Sequence, residues 1–98
     1  MDKEPKGSTW YLYVLRCADE SLYAGITTDP ERRVQEHNGS PKGARYTRAR
    51  RPVTLLKSWT LSDRSAATKA ERRFKALRRA QKEAALARTD RPAWLDTT

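Results

Sequence analysis

The sequence predicts an α+β fold: a small three-stranded antiparallel sheet flanked by helices, in the order ββαβαα. Three observations carry this. The chain has 98 residues, enough for one modest core. Three stretches are rich in aromatic and β-branched residues, and the first two are separated only by turn chemistry. The remaining apolar positions recur at helical spacing behind recognisable helix caps.

The elements follow in order. Residues 1–8 (MDKEPKGS) read as a disordered polar lead-in, and 9–98 as a single domain. Thr9 to Cys17 reads as a strand apolar on both faces. Ala18-Asp19-Glu20-Ser21 is the turn, and Leu22 to Ile26 is the second strand of a hairpin. Asp29 as N-cap, Pro30 at the first helical position and Glu31 in the first turn start a short helix through His37. Asn38-Gly39 is expected to close it as a left-handed cap. Ser40 to Pro52 reads as a loop, within a basic segment 38–52, and Val53 to Leu61 as the third strand. Ser62-Asp63 caps a main helix from about Arg64, with Ala67, Ala70, Phe74 and Leu77 on its apolar stripe. Gln81 to Ala87 forms a further helix in the C-terminal tail, and Trp94-Leu95 is placed to clamp onto the body.

Composition narrows the function. Residues 1–37 hold five Lys/Arg against seven acids, whereas residues 38–98 hold sixteen against five. Between Asn38 and Ser62 there are six bases and no acid. Such asymmetry is the footprint of a protein that meets a polyanion, and nucleic acid is the expected one. No apolar run approaches the ~20 residues that cross a bilayer, and no stretch pairs these bases with large apolar residues, so a membrane partner is not expected. One cysteine excludes an internal disulfide or a multi-thiolate zinc site and suits a reduced, cytoplasmic compartment. Gly39 and Gly43 lack the spacing of a phosphate-cradling loop.

A smaller set of residues carries chemistry. Tyr13 and Tyr23 lie on the paired strands, Arg33 and His37 sit four apart on one helix face, and Glu71 falls within the main helix. On the wheel Glu71 stands about 40° from Ala67, at the border of the buried stripe. A carboxylate there needs a partner. Lys75, four residues on, would make an ordinary helix ion pair; a divalent cation completed by water and substrate phosphate is the alternative.

Tyr11-Leu12-Tyr13, nine residues, Tyr23-Ala24-Gly25, Arg33 eight after that glycine, His37 four further on and Glu71 in a later helix together resemble the GIY-YIG nuclease domain. The run from Ile26 to Gly39 is most similar to small stand-alone bacterial members and to the catalytic half of eukaryotic structure-specific endonucleases. The resemblance implies an endonuclease hydrolysing phosphodiester bonds in DNA, branched or flapped DNA among the candidates, with one Mg²⁺ or Mn²⁺. By that resemblance Glu71 matches the metal ligand, Arg33 the phosphate-binding arginine, and Tyr13 the activator of the attacking water. Tyr23 matches the second motif tyrosine, His37 an assistant in the hydrogen-bond network, and Gly25 the glycine that keeps the strand open. Tyr11-Leu12 replaces Gly-Ile and Ala24 replaces Ile, both sparing the tyrosines. Ile26 stands where the excision-repair branch carries lysine.

Three expectations follow. An adjacent Arg33 and a metal would lower the Tyr13 pKa and let the phenol accept a proton. Lys42, Arg45, Arg48, Arg50 and Arg51, with Arg72 and Lys75 of the main helix, would form a phosphate track, and Tyr46 would stack on an unpaired base. Both tyrosines can share one site only if the hairpin connection has an odd number of residues or a bulge, because side chains alternate with period two. A non-catalytic nucleic-acid-binding module, or a basic ribosome-associated or bridging factor, would need the charge but not Glu71. RNA stays open beside DNA, and the basic loop and tail or a partner protein would select the substrate.

Overall fold

A computed structural model describes residues 9–96; the expected lead-in over residues 1–8 lies outside them. The sheet has three antiparallel strands, β1 (Trp10–Arg16), β2 (Leu22–Thr27) and β3 (Thr54–Leu61), in the order β2-β1-β3. Four helices accompany it: α1 (Pro30–Gly39), α2 (Arg45–Arg48), α3 (Arg64–Ala76) and α4 (Arg79–Ala87). A 3-10 turn over Ala93–Asp96 follows them.

The hairpin decides which side chains share a face. Tyr13 pairs with Gly25, Leu15 with Tyr23 and Arg16 with Leu22. The Cys17 and Ser21 backbones close the hairpin through a 2.9 Å bond, leaving Ala18, Asp19 and Glu20 as a three-residue connection. Glu20 adopts a φ of 73°, the left-handed residue that such loops use after a tight turn. The odd connection puts Tyr13 and Tyr23 on the same face, as the shared-site reading requires.

Alternation along β1 then builds two cores. Leu12 and Val14 face α3 and pack with Ala24, Trp59, Leu61, Ala67, Ala70 and Phe74. Trp94 sits edge-on to Trp59 at 5.5 Å and against Phe74 at 5.9 Å, and Leu95 is buried, so the C-terminal pair does clamp the main core. Tyr13, Leu15 and Cys17 point the other way and pack with Val53, Tyr23, Val34 and Leu55. Burying the nine residues of the larger cluster is the dominant stabilisation, at about 1.5–3 kcal/mol for each large apolar side chain. A bulge interrupts the β1–β3 register between Val14 and Leu15, where Leu56 is the extra residue.

The caps at Asp29 and Asp63 form as expected: their side chains accept from Arg32 N at 3.1 Å and Ala66 N at 2.8 Å. The left-handed cap at Asn38-Gly39 does not. Helix α1 runs through Gly39, and Ser40 ends it in an extended conformation. The reason is that Asn38 has another task. Its side-chain amide accepts from Val53 N at 2.7 Å and donates to Val53 O at 3.0 Å, tying the helix end to the start of β3. The segment read as a basic loop also contains α2, and α4 starts two residues before the expected Gln81.

Candidate active site

The smaller core contains the polar cluster. Tyr13 is nearly inaccessible, and its ring lies across Gly25: a Cβ built there would stand 2.6 Å from the phenolic oxygen and 2.8 Å from Cζ. The glycine is thus a seat for the tyrosine ring, a more specific reason than an open strand end. From this seat the Tyr13 hydroxyl reaches His37 Nε2 at 2.8 Å. His37 is fully buried, and its Nδ1 lies 2.7 Å from Thr47 Oγ1. Thr47, also fully buried, donates to Ala44 O at 3.0 Å. Tyr23 closes one side of the imidazole edge-on at 5.2 Å.

Arg33 borders this cluster from α1. Its Nη1 donates to Glu36 Oε1 and to Lys42 O, both at 2.8 Å. Burial opposes its charge, but Glu36 and the Tyr13 hydroxyl hold the guanidinium even more firmly protonated than usual. Gly43 permits the return of the chain over α1, since a Cβ there would meet Glu36 O at 2.7 Å.

The sequence expectation paired Arg33 with a metal, and Arg33 acts in the expected direction but is outweighed. Burial pushes the Tyr13 phenol up to about 12, although Arg33 pulls it down. Tyr23 and the Glu71 carboxylate push in the same direction as burial. Desolvation outweighs one half-buried guanidinium, so the phenol keeps its proton in the free protein. His37 is lowered to about 4, first by burial and then by Arg33 and Arg51, with Glu36 opposing. The resting pair is therefore a neutral phenol beside a neutral imidazole.

Glu71 sits on α3, in the layer against the opposite face of the sheet. Its charge reaches Tyr13 electrostatically, but its direct partner is Lys75 Nζ at 2.7 Å. Among the described residues no three His, Cys, Asp or Glu gather as a metal cluster. A lone carboxylate suits a hard cation that keeps most of its waters, as Mg²⁺ does. Its side chain is 22% exposed and Lys75's is 55% exposed, so the ion pair is displaceable at about 0.3–0.5 kcal/mol. The donor set fits a single, water-rich divalent ion.

The expected phosphate track divides. Lys42, Arg45 and Arg48 are exposed near the cluster, and Arg72 and Lys75 are exposed on α3. Arg51 instead spends its fork on His37 O and Ser40 O at the end of α1. Arg50 binds Asp19 and Tyr46 O and lies 3.9 Å over the Tyr46 ring. Tyr46 is also stacked on Tyr23 at 5.8 Å, so it is engaged within the fold. Sequence reasoning missed Glu36, Gly43 and Thr47. The available signals were a glycine four residues past the helix and a β-branched residue isolated among bases.

The structure brings Tyr13, Gly25, Arg33 and His37 together, with the glycine beneath the tyrosine ring. The GIY-YIG catalytic domain model matches residues 9–84. The chain belongs to the GIY-YIG family. Among curated relatives, a UPF0213 protein of Desulfotalea psychrophila is 56% identical over 68 residues, 69% of this chain and 62% of that protein's length. A UPF0213 protein of Enterococcus faecalis is 56% identical over 75 residues, 74% of this chain and 84% of that protein. The solution structure of the UPF0213 protein BH0048 from Bacillus halodurans matches with a TM-score of 0.54 at 38% identity, covering 91% of this chain and 94% of that one. That of the E. faecalis protein EF2693 gives 0.55 at 50% identity, covering 80% and 82%. The GIY-YIG fold places this chain in a nuclease family, with small stand-alone bacterial and archaeal relatives. No helix among the described residues is long and apolar enough to cross a membrane.

Proposed function

We propose that this GIY-YIG protein is a divalent-metal-dependent endonuclease that hydrolyses phosphodiester bonds in DNA, branched or flapped DNA being its preferred class. The observation that carries this reading is the Tyr13–His37 hydrogen bond at 2.8 Å, built over Gly25 and beside a charged Arg33. A protein that only binds needs none of that buried apparatus, and two adjacent buried polar groups would otherwise be a cost.

Each residue has a definable task. Arg33, kept charged by Glu36, offers its guanidinium to the phosphate oxygens as negative charge develops. Tyr13 orients the attacking water, and its hydroxyl is held on the His37 imidazole. Tyr23 packs the imidazole from the sheet side. Lys42, Arg45, Arg48 and Arg72 attract and track the backbone. Glu71 would hold Mg²⁺ or Mn²⁺, which supplies Lewis-acid charge and an acidified water. Because the phenol rests near 12, proton acceptance by Tyr13 depends on positive charge arriving with substrate and metal.

The direct test is incubation of the protein with linear, flapped and four-way DNA in Mg²⁺, Mn²⁺ or EDTA. Metal-dependent cutting of a branched form is the expected result. The second reading is a non-catalytic nucleic-acid-binding module, favoured by the Glu71–Lys75 pair. DNA binding with no cutting of any form in either metal would establish that reading instead.

A further inference from the structure

We propose that Thr47 is a positioning residue that fixes the His37 imidazole as its Nδ1–H tautomer and aims the Nε2 lone pair at the Tyr13 hydroxyl. Its contribution to cleavage rests on the nuclease reading above; the tautomer does not.

Four groups form a buried chain whose donors can be counted one by one. A threonine hydroxyl has one proton. Thr47 gives it to Ala44 O at 3.0 Å, so toward His37 Nδ1, at 2.7 Å, the same oxygen acts as acceptor. Nδ1 therefore carries the imidazole proton. The other end of the chain demands the same polarity. Tyr13 is a neutral, buried phenol, and its proton needs an acceptor. Arg33, the hydroxyl's other side-chain partner, can only donate, so His37 Nε2, at 2.8 Å, is the acceptor for that proton. Both ends thus assign one tautomer of a ring that is neutral near pH 7.

One contact competes. Ala44 N–H lies 3.4 Å from Nδ1 and would favour a lone pair there. It is much longer than the Thr47 contact, and hydrogen bonds weaken steeply over that range. The hydroxyl of Thr47 is thus what outweighs Ala44 N–H at Nδ1. Without it, Ala44 N–H would be the remaining polar neighbour of Nδ1, and the proton would move to Nε2. Nε2 would then donate to Tyr13 rather than accept from it, reversing the hydrogen bond on which the phenol is held.

Thr47 reaches this place through the return of the chain over α1. Gly43 lets the backbone pass at contact distance, Ala44 is the N-cap residue of α2, and Thr47 lies three residues on with no exposed surface. A solvated helical threonine would have no such fixed partners.

The chain has a single histidine, so its imidazole nitrogens are read without assignment ambiguity. The experiment is long-range ¹H–¹⁵N correlation on the full chain at pH 7 for the parent, Thr47→Val and Thr47→Ser. The parent should show a protonated Nδ1 and an unprotonated Nε2. Thr47→Val, nearly isosteric, should reverse the two, and Thr47→Ser should restore the parent pattern. On whichever DNA the parent cuts, Thr47→Val should lower kcat about 10–100-fold with little change in KM, the size seen when the partner that orients a functional histidine is removed. Thr47→Ser should stay within a few-fold of the parent. A protonated Nε2 in the parent overturns the proposal, as does a Thr47→Val protein that keeps the parent tautomer. If Thr47→Val fails to fold, the parent spectrum and Thr47→Ser decide alone. If the tautomer reverses as expected but nothing is ever cut, the positioning role stands and only the nuclease reading falls.

Discussion

Lowering the pH from 7 to about 4 should destabilise this protein's site-bearing core through one residue, His37. Its imidazole is neutral in the fold, with a pKa near 4, whereas in the unfolded chain it titrates near 6.5. Between those values the unfolded state binds the extra proton and the native state does not. Stability is therefore fully present above pH 6.5 and falls by about 1.4 kcal/mol per pH unit as the pH drops towards 4. The window is about two and a half units wide, giving a loss of roughly 3 kcal/mol, a large share of the ~5–15 kcal/mol typical of a domain. The groups facing the ring set this window. Arg33 and Arg51 repel an imidazolium, Glu36 attracts it, and the Tyr13 and Tyr23 rings exclude water. Asp19, Glu83, Asp90 and Asp96, all held below ordinary carboxylate values by arginine or hydrogen-bond partners, act at lower pH and leave this range to His37. Urea unfolding of the parent and of His37→Gln at half-unit steps from pH 7 to 4.5 measures it. The variant should be less stable throughout yet nearly flat with pH. A parent whose stability is equally flat, or an NMR titration of His37 with its midpoint at or above 6.5, refutes the reasoning.

Glu71→Gln should leave the helix intact, change stability by about 0.5 kcal/mol or less through loss of the Lys75 pair, and reduce cleavage by orders of magnitude. Cutting at the parent rate in Mg²⁺ would make the carboxylate an ion-pair partner only. Gly25→Ala should cost about 1–3 kcal/mol and displace the Tyr13 ring, because the added methyl would stand 2.6 Å from the phenolic oxygen; unchanged chemical denaturation would contradict the seat. With Lys42, Arg45, Arg48 and Arg72 as the phosphate contacts, log K for duplex DNA should fall with log salt at a slope near −3.6, about −0.9 per contact. Arg51→Lys should weaken the end of α1 more than DNA affinity, since that guanidinium already serves two carbonyls.

Much of the fold was legible because it depends on local chemistry. Asp29-Pro30 and Asp63 each satisfy helix-start donors within four residues, so their caps formed as read. The hairpin turn could be placed, but its register depended on Glu20 taking a left-handed φ, a conformation that Glu does not advertise. The condition that the connection be odd was derivable from the shared-site reading, and the three-residue loop meets it. Asn38-Gly39 misled because its local propensity favours a left-handed cap, while the long-range bracket on Val53 is stronger and exists only in three dimensions.

The site shows the same division more sharply. Tyr13, Tyr23, Arg33 and His37 are recognisable because a motif fixes their spacing, and the fold brings them around one glycine. What spacing cannot convey is the dielectric they share. Arg33 and a metal together were expected to lower the Tyr13 pKa; with Arg33 alone, burial outweighs the guanidinium and the phenol stands near 12. Thr47 and Glu36 escape for a related reason. Neither belongs to the motif; each bonds to a motif residue, Thr47 to His37 at 2.7 Å once the chain between α1 and β3 folds back, and Glu36 to Arg33 at 2.8 Å within α1. Glu71 is harder still: it stands on α3, whose apolar face packs on the other core, and its charge is felt at Tyr13. The chemistry of this domain is therefore divided between two layers. The neutral tyrosine–histidine pair lies in a dry core, whereas the Glu71 carboxylate and the cations of the expected phosphate track lie nearer the surface. On the proposed nuclease reading, substrate and cation would have to bring the positive charge that a phenol neutral in the free protein needs before it can accept a proton.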